Sequence, residues 1–334
     1  MTLQMGLGYP TAREGLNYPI PFCSPSHLVE IAIKAETLGF HSLGGNDHIV
    51  PATYVSEHWD VPPRYYELFT TFAHIAGLTH TIRLNTSVAV LPLRNVVWLA
   101  KQAATLDCLS TGRLTLGVGV GAYPEEFSTL FPNVPLTRGI ITDHSIEALV
   151  DLLSKPSSYN SEYVKFGPLD LYPRPKQNPL PIYIGGNHHS ALERSAKWGQ
   201  GWLPAGLSPS NLEEKINHLS ILASDHGRSL SDIDIAPQLT LCIAKTTRAA
   251  HKKFRESHQY THLKSLLNST FKNIPEEELL NGNLIGTSEE IVKRLQEYMD
   301  IGVTHFPATV LAVNDISTFF SDMELISRDI LDLF

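Results

Sequence analysis

Apolar side chains along this chain alternate between two spacings. In PSHLVEIAIKAETLGF, Leu28, Ile31, Ala32, Ala35 and Leu38 recur every three or four positions, the signature of one helix face, and Gly39 closes it. LQMGLG (Leu3–Gly8) before it and FHSLGG after it are short extended runs. The exchange then repeats as helix LFTTFAHIAGLTH, strand IRLNTSVAVL, helix VVWLAKQAATLDCLS, strand RLTLGVGV and helix GIITDHSIEALVDLLS. LPIYIGG, QGWLPA and IDIAPQLTLCIA supply further strands, separated by helices at about 188–198 and 210–226. TSEEIVKRLQEYMDIG opens on a Ser/Thr cap with an acidic first turn, VTHFPATVL is the last strand, and the C-terminal segment is the last helix.

Eight strands alternating with helices predict a parallel sheet, and that number suggests an α/β fold closed into a TIM (β/α)8 barrel with insertions. No boundary divides residues 1–334, which read as a single domain. An open doubly wound sheet would want a dinucleotide fingerprint after the first strand, and GLGYPTAREG leads into no helix at the right place. Three segments depart from the repeating unit. Asn46 to about Tyr66 is a loop rich in Pro, Tyr and Trp, too long for a plain connection. Asn160 to Lys176 reads as a hairpin with Pro-rich exits, and about 247–284 as a charged helical insertion.

RLTLGVGVGAYPEEF carries the most unusual pattern. Leu114, Leu116, Val118 and Val120 share one face of the strand; Thr115, Gly117, Gly119 and Gly121 share the other. The apolar row belongs against helices, so the glycine row is expected inside, where bulky branched residues are usual. Asn85, Ser87 and Ala89 on the third strand, and Gln4, Gly6 and Gly8 on the first, are similarly placed. Small inward residues on neighbouring strands predict a slot wide enough for a flat ring; the alternative is close helix-to-strand packing with no ligand.

Two strand ends carry candidate chemistry. IYIGGN runs from a strand into Gly185, Gly186 and Asn187 and then a helix, which offers free amides and a dipole end for phosphate, or else a plain turn. GGNDHIVP ends the second strand with Asp47 and His48, a titratable pair at the end where barrel chemistry occurs. There His48 is either a proton carrier tuned by Asp47 or a histidine capping a loop. Trp59, Tyr65 and Tyr66 follow, to cover a ligand or to bury themselves.

Composition removes several classes. Net charge is −8, which offers no basic stripe for nucleic acid. Cys23, Cys108 and Cys242 are too scattered for a disulfide framework or a metal knuckle. No apolar run approaches the roughly 18 residues of a membrane span, so a cytoplasmic protein is expected. Among 15 histidines, His258 and His262 in HQYTH share a helical face without the glutamate of the zinc-protease pattern; a surface helix, with no metal, is the expectation.

Taken in order, TIRLNTSVAVLPLRNVVWLAKQAATLDCLSTGRLTLGVGVGAYPEEF, NDHIVP, PIYIGGN and GWLP resemble the luciferase-like monooxygenase family of flavin and deazaflavin enzymes over nearly the whole chain. The resemblance implies a barrel with insertions, and a cofactor ring beside Ser87, Val88, Ala89, Gly119, Val120 and Gly121. It also implies a phosphate near Gly185, Gly186 and Asn187, a cis peptide at Ser87–Val88, and a homodimer. His48 matches the active-site histidine of deazaflavin-dependent members. Members that oxidise glucose 6-phosphate carry a tryptophan and a glutamate where this chain has Ala52 and Ala122, which disfavours that substrate. Glu125 and Glu126 lie near, with solvated roles at a helix start as the alternative. The leading expectation is hydride transfer between coenzyme F-420 and a small organic substrate. The alternatives are a monooxygenase using reduced FMN from a separate flavin reductase, and an inactive flavin-binding barrel subunit.

Overall fold

Leu114, Leu116 and Val118 are fully buried along one side of their strand, as alternation requires of a row packed on helices. Helix Pro25–Thr37 buries Leu28, Ile31, Ala32 and Ala35 in the same core. Its N-terminus is closed by Ser24 and His27, each bonding the other's backbone N–H. The computed structural model describes residues 3–132, 137–268, 271 and 275–334. It is a mixed α/β fold around one curled sheet.

The strands are β1 (Met5–Tyr9), β2 (Ser42–Gly45), β3 (Arg83–Thr86), β4 (Ala89–Val90), β5 (Leu114–Gly119), β6 (Ser157–Asn160), β7 (Lys165–Leu169), β8 (Ile182–Gly185), β9 (Gly201–Leu203), β10 (Asp234–Ile235), β11 (Leu239–Ile243), β12 (Leu284–Gly286) and β13 (Phe306–Leu311). The main sheet runs β10-β9-β8-β5-β3-β2-β1-β13-β11-β12, with β4 also beside β5. Every pairing in it is parallel. β6 and β7 form a separate antiparallel hairpin, which begins at Ser157 rather than at Asn160.

Two runs expected as single strands are each divided. IRLNTSVAVL breaks into β3 and β4 at Ser87–Val88, whose peptide bond is cis, at the position the family resemblance implied. IDIAPQLTLCIA breaks into β10 and β11 at Pro237, which has no N–H to give a ladder. The segment between them is bonded on both sides: Gln238 N–H donates to Pro204 O at 2.7 Å, and Thr304 N–H donates to Ile235 O at 2.9 Å. The named ladders of the sheet therefore end at β10 and β12 rather than running through eight unbroken strands.

The long loop after β2 contains a helix, Thr53–His58, that its polar sequence did not announce. Val55 anchors it in a cluster with Leu16, Ala52 and Tyr123, so a tertiary contact decides its conformation. The charged segment after β11 folds as helices Thr247–Arg255, His258–Ser265 and Glu278–Asn281 before β12. It has its own small core of Cys242, Phe254, Leu263, Phe271, Leu279 and Ala312. Among the described residues no helix is long and apolar enough to cross a membrane.

Because the strands are parallel, their C-terminal ends lie on one side. β2 runs out into Asn46–His48, β3 into Ser87, β5 into Val120–Ala122 and β8 into Gly186–Asn187. The sheet thus gathers onto one face residues up to 141 positions apart, from Asn46 to Asn187.

Candidate active site

His48 leaves β2 with its ring between Tyr65 and Tyr123, at centroid distances of 5.9 and 5.7 Å. Its Nδ1 stands 3.4 Å from Glu126 Oε2. Glu126 Oε1 accepts the Ile49 N–H at 2.6 Å, which holds the carboxylate beside the imidazole. Glu126 is buried, in the helix Pro124–Leu130 that follows the glycine-rich strand. It has no solvated role at the helix start. Its neighbour Glu125 accepts the Thr53 N–H at 3.1 Å.

Asp47 was expected to tune His48, and its carboxylate is committed elsewhere. Arg94 donates to both of its oxygens, at 2.8 and 2.7 Å, and the Val90 N–H donates at 3.0 Å. Adjacent residues on an extended segment point to opposite sides, which turns Asp47 toward β4 while His48 faces the cavity. Asp47 therefore fixes the backbone just after Ser87–Val88, and Glu126 is the carboxylate that meets His48.

The glycine row also differs from its expectation as an open slot. A side chain on Gly119 would meet Val88 Cγ2 at 2.6 Å, and one on Gly185 would meet Val88 Cγ1 at 2.7 Å. A side chain on Gly117 would strike Thr86 O, and one on Gly6 the Ser42 hydroxyl. Gly121, at φ +79°, faces Phe127 and Val90. These glycines are small because protein atoms already fill the space inside them. The Val88 isopropyl group, wedged between β5 and β8, fills the space beside both Gly119 and Gly185.

Open space lies one layer further toward the strand ends. A cavity of ≈ 180 Å³ is lined by Arg13, His48, Ser87, Ala122, Gln238 and His262. A second, of ≈ 970 Å³, is lined by Gly121, Ala122, Arg138, Gly186, Asn187 and Lys215, and Ala122 borders both. Val120, Gly185 and Gly186 line the second cavity, Ser87 the first, and Ala89 is buried in β4 behind them.

In the second cavity the Asn187 side chain is not free for a ligand. Its Nδ2 donates to Ala205 O at 2.8 Å and its Oδ1 accepts the Ala205 N–H at 2.9 Å. What remains is backbone: among the described residues the N–H groups of Asn187 and His188 meet no acceptor, at the start of helix His189–Trp198. Arg138 stands opposite, held by Gly121 O at 2.8 Å and stacked over Phe127, with no carboxylate paired to it. Burial lowers its pKa from the usual guanidinium value. Free amides and an unpaired guanidinium are the donor set a phosphate requires, so the residues present fit such a group.

The helix expected at the surface turns one histidine inward. His262 Nδ1 lies 3.1 Å from the hydroxyls of both Tyr54 and Tyr123. Burial, then the charges of His48 and Arg13, push its pKa down to about 3. Burial also raises Tyr123, and the buried Tyr65 hydroxyl has no partner among the described residues. Trp59 packs instead on His258, at 5.1 Å. The sequence did contain a signal for His262, its spacing from His258. Arg13 and Arg138 lie in loop and helix-start segments with no motif around them.

Known proteins share this fold. A protein of Mycobacterium bovis recorded as uncharacterised is 31% identical over 167 residues, 49% of this chain and 57% of its own length, so the match spans little more than half of it. An F-420-dependent glucose-6-phosphate dehydrogenase of Kineococcus radiotolerans is 25% identical over 315 residues, 90% of this chain and 89% of that one. Among solved structures, an F-420-dependent secondary alcohol dehydrogenase bound to an F-420–acetone adduct superposes with a TM-score of 0.78 at 20% identity, covering 99% and 98% of the two chains. The oxygenating constituent of 3,6-diketocamphane monooxygenase from Pseudomonas putida, in complex with FMN, gives 0.70 at 16% identity over 99% of each chain. The family model described as luciferase-like monooxygenase matches residues 5–305, and this chain belongs to that family.

Proposed function

We propose that this protein is an oxidoreductase that transfers hydride between coenzyme F-420 and a small organic substrate, with His48 as the proton carrier. The observation that carries the reading is the buried Glu126 carboxylate 3.4 Å from His48 Nδ1, on the wall of a cavity that adjoins a phosphate-compatible one. When bound, the deazaflavin supplies or accepts the hydride; the protein's part is orientation and the proton. Ser87, Val88, Ala89, Gly119, Val120 and Gly121 back the ring. Gly185, Gly186 and the Asn187 backbone, with Arg138, receive the phosphate.

In this reading Nδ1–H of His48 points to Glu126, which leaves Nε2 to accept a proton from a substrate hydroxyl or return one to a carbonyl. The imidazolium so formed is stabilised by the carboxylate beside it. Tyr65, Tyr123 and the insertion helix His258–Ser265 keep bulk water away. The whole chain acts as one domain, with 247–284 as an insertion that walls the substrate cavity. The segment 234–243, β10 and β11 taken together, closes the sheet into an eight-stranded barrel.

One observation favours the FMN alternative. Arg194, a cation on the wall of the phosphate cavity and so a partner within reach of the anionic tail of F-420, is bonded to Asp143 at 2.6 Å, whereas a terminal phosphate needs only the amides and Arg138. Fluorescence titration of the apoprotein with both cofactors at one salt concentration separates the two. We expect F-420 to bind at least tenfold more tightly, about 1.4 kcal/mol. Tighter FMN binding, or oxygen consumption with reduced FMN, selects the monooxygenase supplied by a separate reductase. Binding without turnover under any reductant selects an inactive subunit.

A further inference from the structure

Arg13 is a buried cation without an anion. Its side chain lies in the loop after β1, and the residue is 6% exposed. Nε donates to Tyr9 O at 3.1 Å, Nη1 to Asn17 Oδ1 at 3.2 Å and Nη2 to Gly44 O at 3.3 Å. These acceptors hold the guanidinium plane, but all three are neutral, and they use three of the five N–H donors an arginine has. Every Asp and Glu of the chain is among the described residues, and none of them pairs with Arg13. Glu14, next in sequence, is turned away: it binds Arg64 and accepts the N–H groups of Phe22 and Cys23 at 2.8 and 3.0 Å.

No other group supplies the missing charge. Burial raises the Tyr18 phenol, and burial with the charge of Glu14 raises the Cys23 thiol to about 12, so both stay neutral. The other titratable groups lining the cavity are His48 and His262, which carry either no charge or a positive one, and Tyr123, whose phenol burial raises and keeps neutral. A desolvated charge left unpaired is costly, and natural proteins keep one where a ligand completes the pair.

The amide of Asn17, beside Arg13, and that of Gln259 behind it each have a donor to spare. Asn17 gives its carbonyl to Arg13, and one N–H of its Nδ2 goes to Gln259 Oε1 at 2.6 Å. Gln259 in turn donates one N–H of Nε2 to Thr240 Oγ1 at 2.6 Å. The network fixes both amides with their NH2 ends directed, and each retains a second N–H. A chain of buried polar side chains, Asn17, Gln259 and Thr240, thus runs from β1's loop through the insertion to β11 along the wall of the cavity that holds Arg13 and His48.

We propose that Arg13 is the receptor for a carboxylate on the substrate, and that this protein acts on small hydroxy or oxo carboxylates whose anionic end lies on Arg13 and whose reacting end faces His48. The proposal rests on the reading of this cavity as the substrate site. It narrows the substrate from any small organic molecule to an anionic one with a planar, two-oxygen end group, the shape a guanidinium fork matches.

The test uses propionate as the probe, with propionamide as its uncharged counterpart, on the cofactor-free protein at constant ionic strength. Ligand binding to the folded state raises the thermal midpoint in proportion to ln(1 + [L]/Kd). Propionate is expected to raise the midpoint and propionamide to leave it unchanged. In Arg13→Met the half-saturating propionate concentration is expected to rise at least tenfold. Arg13→Lys, which keeps a cation in place but loses the fork, is expected to weaken propionate at least threefold and stands in should the methionine variant not fold. Equal responses to acid and amide, or an unaltered propionate response in whichever of the two variants folds, overturn the proposal. So does an Arg13 variant that binds F-420 or FMN tenfold more weakly while propionate affects neither protein, since the arginine then belongs to the cofactor ring. A wild-type protein that binds neither cofactor yet keeps its Arg13-dependent propionate response rejects the proposed function and leaves the anion site standing.

Discussion

Glu126 and His48 meet at 3.4 Å although 78 residues separate them in the chain. His48 lies just past the end of β2 and Glu126 in the short helix after β5, and β3 runs between those strands in the sheet. The contact gives the histidine a carboxylate partner that its sequence neighbour Asp47 does not provide.

This pairing predicts two unequal losses. His48→Ala is expected to reduce kcat by about 10²–10⁴, the range of general acid–base catalysis, with cofactor affinity altered much less. Glu126→Gln is expected to cost about tenfold in kcat, about 1.4 kcal/mol of activation free energy, because the ring loses the carboxylate that orients it. The double variant is expected to be no slower than His48→Ala, because Glu126 acts through the ring. Steady-state kinetics on the three variants, with cofactor titrations alongside, decide it; strictly multiplicative losses would detach Glu126 from His48.

Val88 makes a second prediction possible. An isobutyl group at Gly119 has no room beside the Val88 Cγ2 that already stands 2.6 Å from its first carbon. Gly119→Leu is therefore expected to displace Val88 and abolish cofactor binding, and overpacking of this kind costs about 1–3 kcal/mol of stability. Gly119→Leu combined with Val88→Ala is expected to regain part of that stability. Circular dichroism melts and cofactor fluorescence read both effects, and a Gly119→Leu protein that binds cofactor as the wild type does would remove Val88 from behind the ring.

His262 predicts an acid dependence. Its folded pKa of about 3 lies below the unperturbed 6.5, so between those values the unfolded chain binds the proton that the folded one refuses. Stability then rises with pH across this window and falls as pH drops from about 6.5 toward 3. His262→Gln, which keeps a polar side chain between Tyr54 and Tyr123, is expected to flatten that slope and to leave stability at pH 8 little altered. Thermal midpoints across the pH range measure it; an unchanged slope would mean that His262 is freely protonated in the folded protein.

The elements and their order were legible in the sequence because they depend on local periodicity. The 3.6-residue spacing of Leu28, Ile31, Ala32 and Ala35, and the alternation of Leu114, Leu116 and Val118, reappear as buried faces. His48 was legible as a titratable side chain at a strand's end. The divisions at Ser87–Val88 and Pro237 were less so, since the runs on either side are apolar and continuous.

Tertiary structure alone decided what each candidate touches. The glycines of β5 announced small residues on one face, but only the packing shows that Val88 and Thr86 fill the space inside them. Asp47 and Glu126 are both acidic residues near strand ends, and nothing in their spacing says which reaches His48 and which Arg94. His262 reads as one side of a polar helix until Tyr54 and Tyr123, 208 and 139 residues away, close around it. Periodicity reports which face of an element is buried, because burial acts on every turn of it. It is silent on which single side chain lies opposite, because that follows from the curl of a sheet joining segments hundreds of residues apart.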